Sequence, residues 1–160
     1  MSNTTPSQRE KIWFRISQDE DGYPPVSVET LWMSPVTGGA YRLDNIPFFA
    51  KGVSCGDMVS AFPGPDGHLW FDQVVDHSGH STLRVVVFRE VDDKRPLEER
   101  VEELRGRFSS IGCSTELSHL PGLLAVDVPP LVNFSIVLPL LEEGVMGGWD
   151  YEEANLSHPA

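Results

Sequence analysis

The order of apolar patterns over residues 82–154 limits the fold more than any other feature of this sequence. The patterns run strand, amphipathic helix, strand, strand, apolar helix and strand, each bounded by Gly or Pro. This βαββαβ order is typical of the ferredoxin-like fold, in which two helices cover one face of an antiparallel sheet. It predicts an α+β domain of ferredoxin-like type over residues 79–154.

Within this half, the spacing of apolar residues predicts each element. The continuous apolar run 83–88 indicates a strand that is buried on both faces. An apolar stripe at intervals of four and three predicts the first helix, which should end at Gly112. The second helix is predicted over residues 131–141 and should be buried, because it is apolar almost all round. The other predicted strands are 114–118, 123–128 and 149–154.

Residues 9–78 contain alternating apolar patterns and no convincing helix. Five short strands are predicted, at 11–16, 26–36, 40–43, 57–61 and 68–75. A small β-barrel or curved antiparallel sheet is the expected closure, because it hides the strand edges. Alternation is expected to place most of the large aromatic residues, such as Trp13, Trp32 and Trp70, in its core. We expect residues 1–8 to be a disordered tail and residues 155–160 to be a second tail.

The charge balance bears on the class of partner. The 160 residues include 12 basic and 24 acidic side chains, a net charge of −12. A field of this sign repels nucleic-acid phosphates and anionic lipids, so we expect no direct nucleic-acid binding and no membrane partner. It favours solubility and attraction to a basic protein.

Cysteine content and hydropathy indicate the compartment. Two cysteines, Cys55 and Cys113, are too few for a disulfide scaffold, which favours a reducing cytosol. The first residues lack the apolar core of a signal peptide, and the apolar stretch 131–141 is too short to span a bilayer. We therefore expect a cytoplasmic protein.

Several stretches together resemble a known family. They are GYPPVSVETLW at 22–32, YRLDNIPFF at 41–49, SGHSTLR at 78–84 and WDYEEA at 149–154, with GVS and GD near residue 55. They resemble a bacterial family known only as domain of unknown function 4265, over about residues 11–154. The resemblance implies no catalytic or binding residues. It leads us to expect an aromatic residue where Cys55 stands, which argues against Cys55 as a nucleophile of the family.

A catalytic alternative rests on polar residues near the middle of the chain. Asp76, His77 and His80 are the types of residue that bind zinc, although their spacing is not that of a helical zinc motif. Cys55 with a distant histidine is a second possibility, but it precedes a strand and has no evident source of activation. The alternative function is therefore a small metal- or thiol-dependent enzyme with a site between the two halves. The same polar residues are also expected in a turn that has no catalytic role.

Segment 46–49, Ile-Pro-Phe-Phe, places bulky residues where a loop is expected. It either fills the interface between the halves or forms an exposed recognition patch that includes Phe48 and Phe49.

The preferred hypothesis is a non-catalytic acidic binding protein that needs no cofactor. Its partner would be a basic bacterial protein such as a nuclease or a toxin, and its role that of an inhibitor or immunity-type regulator. A small-molecule sensor is a third alternative. A further expectation is an ion pair between Glu103 and Arg107, four residues apart. The partner-binding glutamates are predicted to be Glu98, Glu99, Glu102, Glu103, Glu142 and Glu143.

Overall fold

The computed structural model of the chain describes residues 9–159 and divides the chain into two compact units, residues 1–78 and 79–160. The predicted tail 1–8 lies outside the described residues. The α+β class is confirmed, because the first unit contains a closed five-stranded barrel and the second contains a four-stranded sheet with helices.

The barrel is built from five strands joined in sequence order. Each strand pairs antiparallel with the next, and β1 also pairs with β5 in parallel, through Ile12 with Leu69 and Trp13 with Trp70. An odd number of strands in an up-and-down order makes the first and last run in the same direction, so the closing pair must be parallel. The strands are β1 (Glu10–Arg15), β2 (Val28–Pro35), β3 (Tyr41–Leu43), β4 (Met58–Pro63) and β5 (Leu69–Asp76).

The buried side chains of the barrel unit are mainly aliphatic, together with Phe14 and Phe49, and the tryptophans lie outside this core. Ile12 and Phe14 point inward from β1, so Trp13 between them faces the opposite side. Its ring stacks on His68 at 3.9 Å, and the Arg15 guanidinium lies 4.6 Å from the ring centroid of Trp70. The prediction that the tryptophans lie in the core is therefore wrong, because their rings lie on the outer surface beside side chains such as His68 and Arg15.

The second unit places three helices among four strands. Its sheet has the order β7-β8-β6-β9, and all neighbouring strands are antiparallel. The elements, in chain order, are β6 (Ser81–Val87), α1 (Leu97–Ser110), β7 (Ser114–Leu117), β8 (Leu123–Val128), α2 (Phe134–Glu142), α3 (Gly144–Gly147) and β9 (Trp149–Asn155).

The core of this unit lies between the sheet and α1 and α2. Leu104 and Phe108 of α1 and Val137 of α2 pack on Leu83 and Val126 of the two central strands. Both central strands are buried on both faces, as predicted for the first of them. The α1 helix ends before Gly112, whose φ of +95° is a conformation that glycine adopts at low cost.

The second helix differs from its prediction at its start. It begins at Phe134, three residues after the predicted position, because the Asn133 side chain accepts the backbone N–H of Ser135 and caps it. The helix is not buried all round, since Leu131 before it and Ile136 within it are exposed. Among residues 9–159, no helix is both long enough and apolar enough to cross a membrane.

The last residues described do not form a loose tail. His158 is buried, and its Nε2 donates to the carbonyl oxygen of Pro129 at 2.8 Å. Nδ1 of the same ring lies 2.5 Å from the hydroxyl oxygen of Ser81. The same hydroxyl oxygen accepts the backbone N–H of Ser157 and of His158. These bonds hold the chain end on β6.

Candidate functional site

Two of the predicted partner-binding glutamates, Glu143 and Glu103, form ion pairs with arginines that lie outside their own element but in the same unit. Arg107 donates two hydrogen bonds to Glu143, at 2.9 and 2.5 Å, which lower the pKa of Glu143. Glu103 accepts from Arg95. The expected pair of Glu103 with Arg107 is therefore replaced by two pairs between elements, which sequence spacing does not reveal. This also gives Glu143 a structural role at a helix end where its charge opposes the dipole.

The remaining four glutamates differ in their surroundings. Glu102 is paired with Arg105 at 2.8 Å, one turn along α1. Within the described part of the chain, Glu98, Glu99 and Glu142 are exposed and form no ion pair. Glu98 and Glu99 lie in the first turn of α1, where carboxylates interact favourably with the helix dipole. These three side chains are the acidic groups best placed to meet a cationic partner.

Glu98 and Glu102 also border a groove between α1 and the β7–β8 hairpin, which we call the hairpin groove. Its volume is about 210 Å³, and its walls are mainly apolar. Leu117, on β7, is 49% exposed at this site, which is high for a side chain of its size. The apolar wall residues are Leu97, Val101, Leu117, Leu120, Pro121 and Leu123. The groove is thus an apolar slot with carboxylates on its helix side.

The two histidines among the predicted metal ligands contact different carboxylates. Nδ1 of His77 lies 3.5 Å from Asp57, whereas Nδ1 of His80 lies 2.8 Å from Asp127. Asp76 is exposed at the end of β5. Over residues 9–159, no group of three or more His, Cys, Asp or Glu side chains has a geometry that could hold a metal ion. Each histidine instead contacts a buried carboxylate of its own unit.

The two cysteines, both within the described residues, do not form a disulfide. Burial raises the pKa of the Cys113 thiol to about 11, and the nearby Asp127 carboxylate acts in the same direction. Sγ of Cys55 lies 3.9 Å from the carbonyl oxygen of Leu43. Neither environment resembles that of an activated thiolate.

Segment 46–49 is organised by a buried carboxylate that the sequence analysis did not single out. Glu29 of β2, 9% exposed, accepts the backbone N–H groups of Phe48, Phe49 and Ala50 at 2.7, 3.1 and 2.8 Å. Phe49 is only 7% exposed, so the prediction that it belongs to a partner surface needs correction, and Phe48 is half-buried. The burial of Glu29 could have been predicted from the alternation along β2, because Glu29 lies on the same strand face as the buried Leu31.

The second residue missed from sequence is Arg100 on α1. It is 7% exposed and lines a small cavity with Arg95, Arg107 and Trp149. Its position four residues before Leu104 puts it beside the apolar stripe of the helix, and this was the available signal.

Comparison with known proteins agrees with the resemblance in sequence. The family described as "Domain of unknown function (DUF4265)" matches residues 29–151. The chain belongs to this family. The matched region of DUF4265 includes most of the barrel and nearly all of the α1-to-β9 region, and its description assigns no activity. No curated protein matches the chain.

A solved structure has the same fold. Its description is "Novel crystal structure of a hypothetical protein from Neisseria gonorrhoeae". The match covers 93% of this chain and 96% of that chain, with a TM-score of 0.69 and 22% sequence identity. At this identity the likeness shows the fold alone.

Proposed function

We propose that this DUF4265 protein is a non-catalytic binding protein that captures a basic polypeptide through the hairpin groove. The observation that carries the proposal is the groove itself, an apolar slot of about 210 Å³ with Glu98 and Glu102 beside it. An exposed apolar wall next to the carboxylate of Glu98, which is unpaired among the described residues, suits a segment with an apolar anchor and flanking Lys or Arg residues.

The overall charge supports the same partner. A net charge of −12 accelerates encounters with a cationic protein and repels acidic competitors. Glu99 lies in the same helical turn as Glu98 and is also exposed, so it adds to the negative field near the groove. Glu142 and Phe48 are also accessible, but neither lines the groove, so neither is assigned to it.

The partner class is a basic protein such as a nuclease or a toxin, and the role is that of an inhibitor or immunity-type regulator. Such proteins bind phosphate groups with clustered Lys and Arg residues. A carboxylate pair on a rigid helix can occupy the same anion-binding site and so block the substrate. The proposal places this activity in a bacterial cytoplasm.

We also infer that the second unit is a ferredoxin-like sandwich. The strand order β7-β8-β6-β9, with α1 between β6 and β7 and α2 between β8 and β9, supports this assignment. The short helix α3 before β9 is an addition to that plan.

The test uses two synthetic peptides of equal length, one built from Lys and Leu and one in which Glu replaces Lys. Fluorescence anisotropy measures binding of each to the full chain. We expect only the cationic peptide to bind, with a Kd that rises with salt. Glu98→Lys should raise that Kd about tenfold, roughly 1.4 kcal/mol, and Leu117→Ser should weaken binding at every salt concentration.

The matched control is Glu142→Lys, which makes the same change in net charge away from the groove. It should change the Kd by no more than about threefold, because rim charges act mainly on encounter rates. Glu103 is unsuitable for this comparison, since its carboxylate binds Arg95. Equal loss in the Glu98 and Glu142 variants would refute the groove as the site. A partner captured from extract supports the proposal only if Glu98→Lys and Leu117→Ser both abolish capture.

A further inference from the structure

Arg100 carries a buried positive charge that the protein itself does not neutralise. Its side chain leaves α1 and is 7% exposed. Nη2 donates to the carbonyl oxygen of Arg89 across a long 3.4 Å, whereas the buried Nε and Nη1 have no hydrogen-bond partner within the described structure. Buried guanidinium groups are normally paired and fully hydrogen-bonded, so this one calls for an acceptor that is not part of the chain.

The two neighbouring arginines have the carboxylate partners that Arg100 lacks within the described structure. Arg95 binds Asp93 and Glu103, and Arg107 binds Glu143. These carboxylates raise the pKa of both arginines. Hydrogen bonds from Arg95 are the main cause of the lowered pKa of Asp93, and the charge of Arg100 makes a smaller contribution. Among residues 9–159, Arg100 alone of these three arginines forms no ion pair.

Arg95, Arg100 and Arg107 line one cavity of the second unit. Its volume is about 30 Å³, enough for about two water molecules or for the oxygen atoms of one small acidic group. Two of the arginines in its wall, Arg95 and Arg107, already have carboxylate partners, so the charge of Arg100 is the one that favours an anion here. The remaining wall consists of Val87, Glu103, Leu104, Gly147 and Trp149.

Trp149 lines both this cavity and a wider apolar groove. The groove has a volume of about 480 Å³, and in it Val145 and Met146 are each 90% exposed and Phe88 is partly exposed. Asp92 and Asp150 border that groove and disfavour a second anionic group there. A ligand that suits both sites has one acidic head and an apolar body.

We propose that Arg100 binds the carboxylate or phosphate head of a small amphipathic molecule whose apolar part covers Trp149 and helix α3. This site is separate from the hairpin groove and does not depend on it. The proposal extends the hypothesis of a small-molecule sensor, and the group recognised is the oxyanion of the ligand. The shared chemistry of the ligand is a single oxyanion next to a short hydrocarbon chain.

The probes are octanoate and octyl phosphate, with acetate, inorganic phosphate and octanol as partial ligands. Titrations of the full chain are followed by the indole and arginine Nε resonances in NMR spectra. We expect the two complete probes to shift the Trp149 indole and Arg100 Nε signals, and to bind at least tenfold more tightly than any partial ligand. Which of the two binds more tightly identifies the head group.

Arg100→Met keeps the aliphatic stem and removes the charge, so it should raise the Kd of octanoate at least tenfold without lowering the melting temperature. Lys94→Met makes the same change in net charge at an exposed residue outside the cavity and should leave the Kd unchanged. If Arg100→Met does not fold, Arg100→Lys and the wild-type titration decide the question. If neither octanoate nor octyl phosphate binds more tightly than octanol, or if binding of the tighter probe survives the loss of Arg100, the proposal is wrong.

Discussion

The carboxylate of Glu29 should hold the loop after β3 in place, and its removal provides a sharp test. It accepts three backbone N–H groups from residues 48, 49 and 50 inside the barrel unit. A hydrogen bond to a charged group contributes about 1.5–3 kcal/mol net. At the lower limit, the three bonds of Glu29 contribute about 4–5 kcal/mol, which is comparable to the whole stability of a small domain.

Two substitutions separate the hydrogen bonds from the packing. Glu29→Gln keeps one acceptor oxygen but turns an amide N–H group toward at least one backbone donor, so it should cost about 1.5–3 kcal/mol. Glu29→Leu keeps the volume and removes every acceptor, so it should cost about 4 kcal/mol or more. Thr30→Ala, at the neighbouring exposed position, is the control and should change stability by less than about 0.5 kcal/mol.

Urea unfolding followed by tryptophan fluorescence measures these differences. In a Trp149→Phe background, the remaining tryptophans at 13, 32 and 70 all belong to the barrel. Hydrogen exchange of amides 48–50 should accelerate in the order wild type, Gln, Leu. If Glu29→Leu is as stable as wild type, or if exchange at 48–50 does not change, the carboxylate does not organise the loop and the reasoning is wrong.

Two further predictions concern the second unit. Gly106 lies in α1 with open space around it, so Gly106→Ala should stabilise the unit by about 0.5–1 kcal/mol in urea unfolding. In contrast, a Cβ at Gly144 would overlap the backbone oxygen of Trp149. Gly144→Ala should therefore destabilise the unit by at least about 1 kcal/mol. Equal effects of the two would contradict the packing around Trp149. Burial raises the pKa of Cys113 from 9.0 to about 11. Because the folded state holds this proton more tightly than the unfolded chain does, stability should fall as pH rises from 9 to 11, by about 2–3 kcal/mol. Cys113→Ala should lose less stability over that range, and a loss equal to that of wild type would show that folding does not raise the pKa of the thiol.

The strands and the first helix were predictable because their signals are local. Alternation located all five barrel strands, and the stripe from Leu97 to Phe108 located α1. Local alternation could not decide which side of β1 faces inward, since Trp13 is as apolar as its neighbours Ile12 and Phe14. The start of α2 was misplaced because a capping residue, Asn133, overrode the preceding apolar pair.

The electrostatic pairs were the least predictable part of the candidate sites. Spacing on one helix favoured Glu103 with Arg107, whereas the structure brings Glu143 to Arg107 from 36 residues away. Such a partner depends on how α1 and α2 pack, and no local pattern contains that information. Glu29 and Arg100 are different, because each is a charged residue at a position where the periodicity requires a buried one. That mismatch is visible in the sequence and marks both as residues with a specific role.

The parallel seam that closes the barrel has an optical consequence. Trp13 and Trp70 stand opposite each other across β1 and β5, with ring centroids 5.6 Å apart and planes inclined at 56°. Two indoles at this separation and angle couple their electronic transitions, so the pair should produce a paired positive and negative band in the circular dichroism spectrum. Because the seam has only two registered residue pairs, this band gives an optical readout of whether the two ends of the barrel are joined.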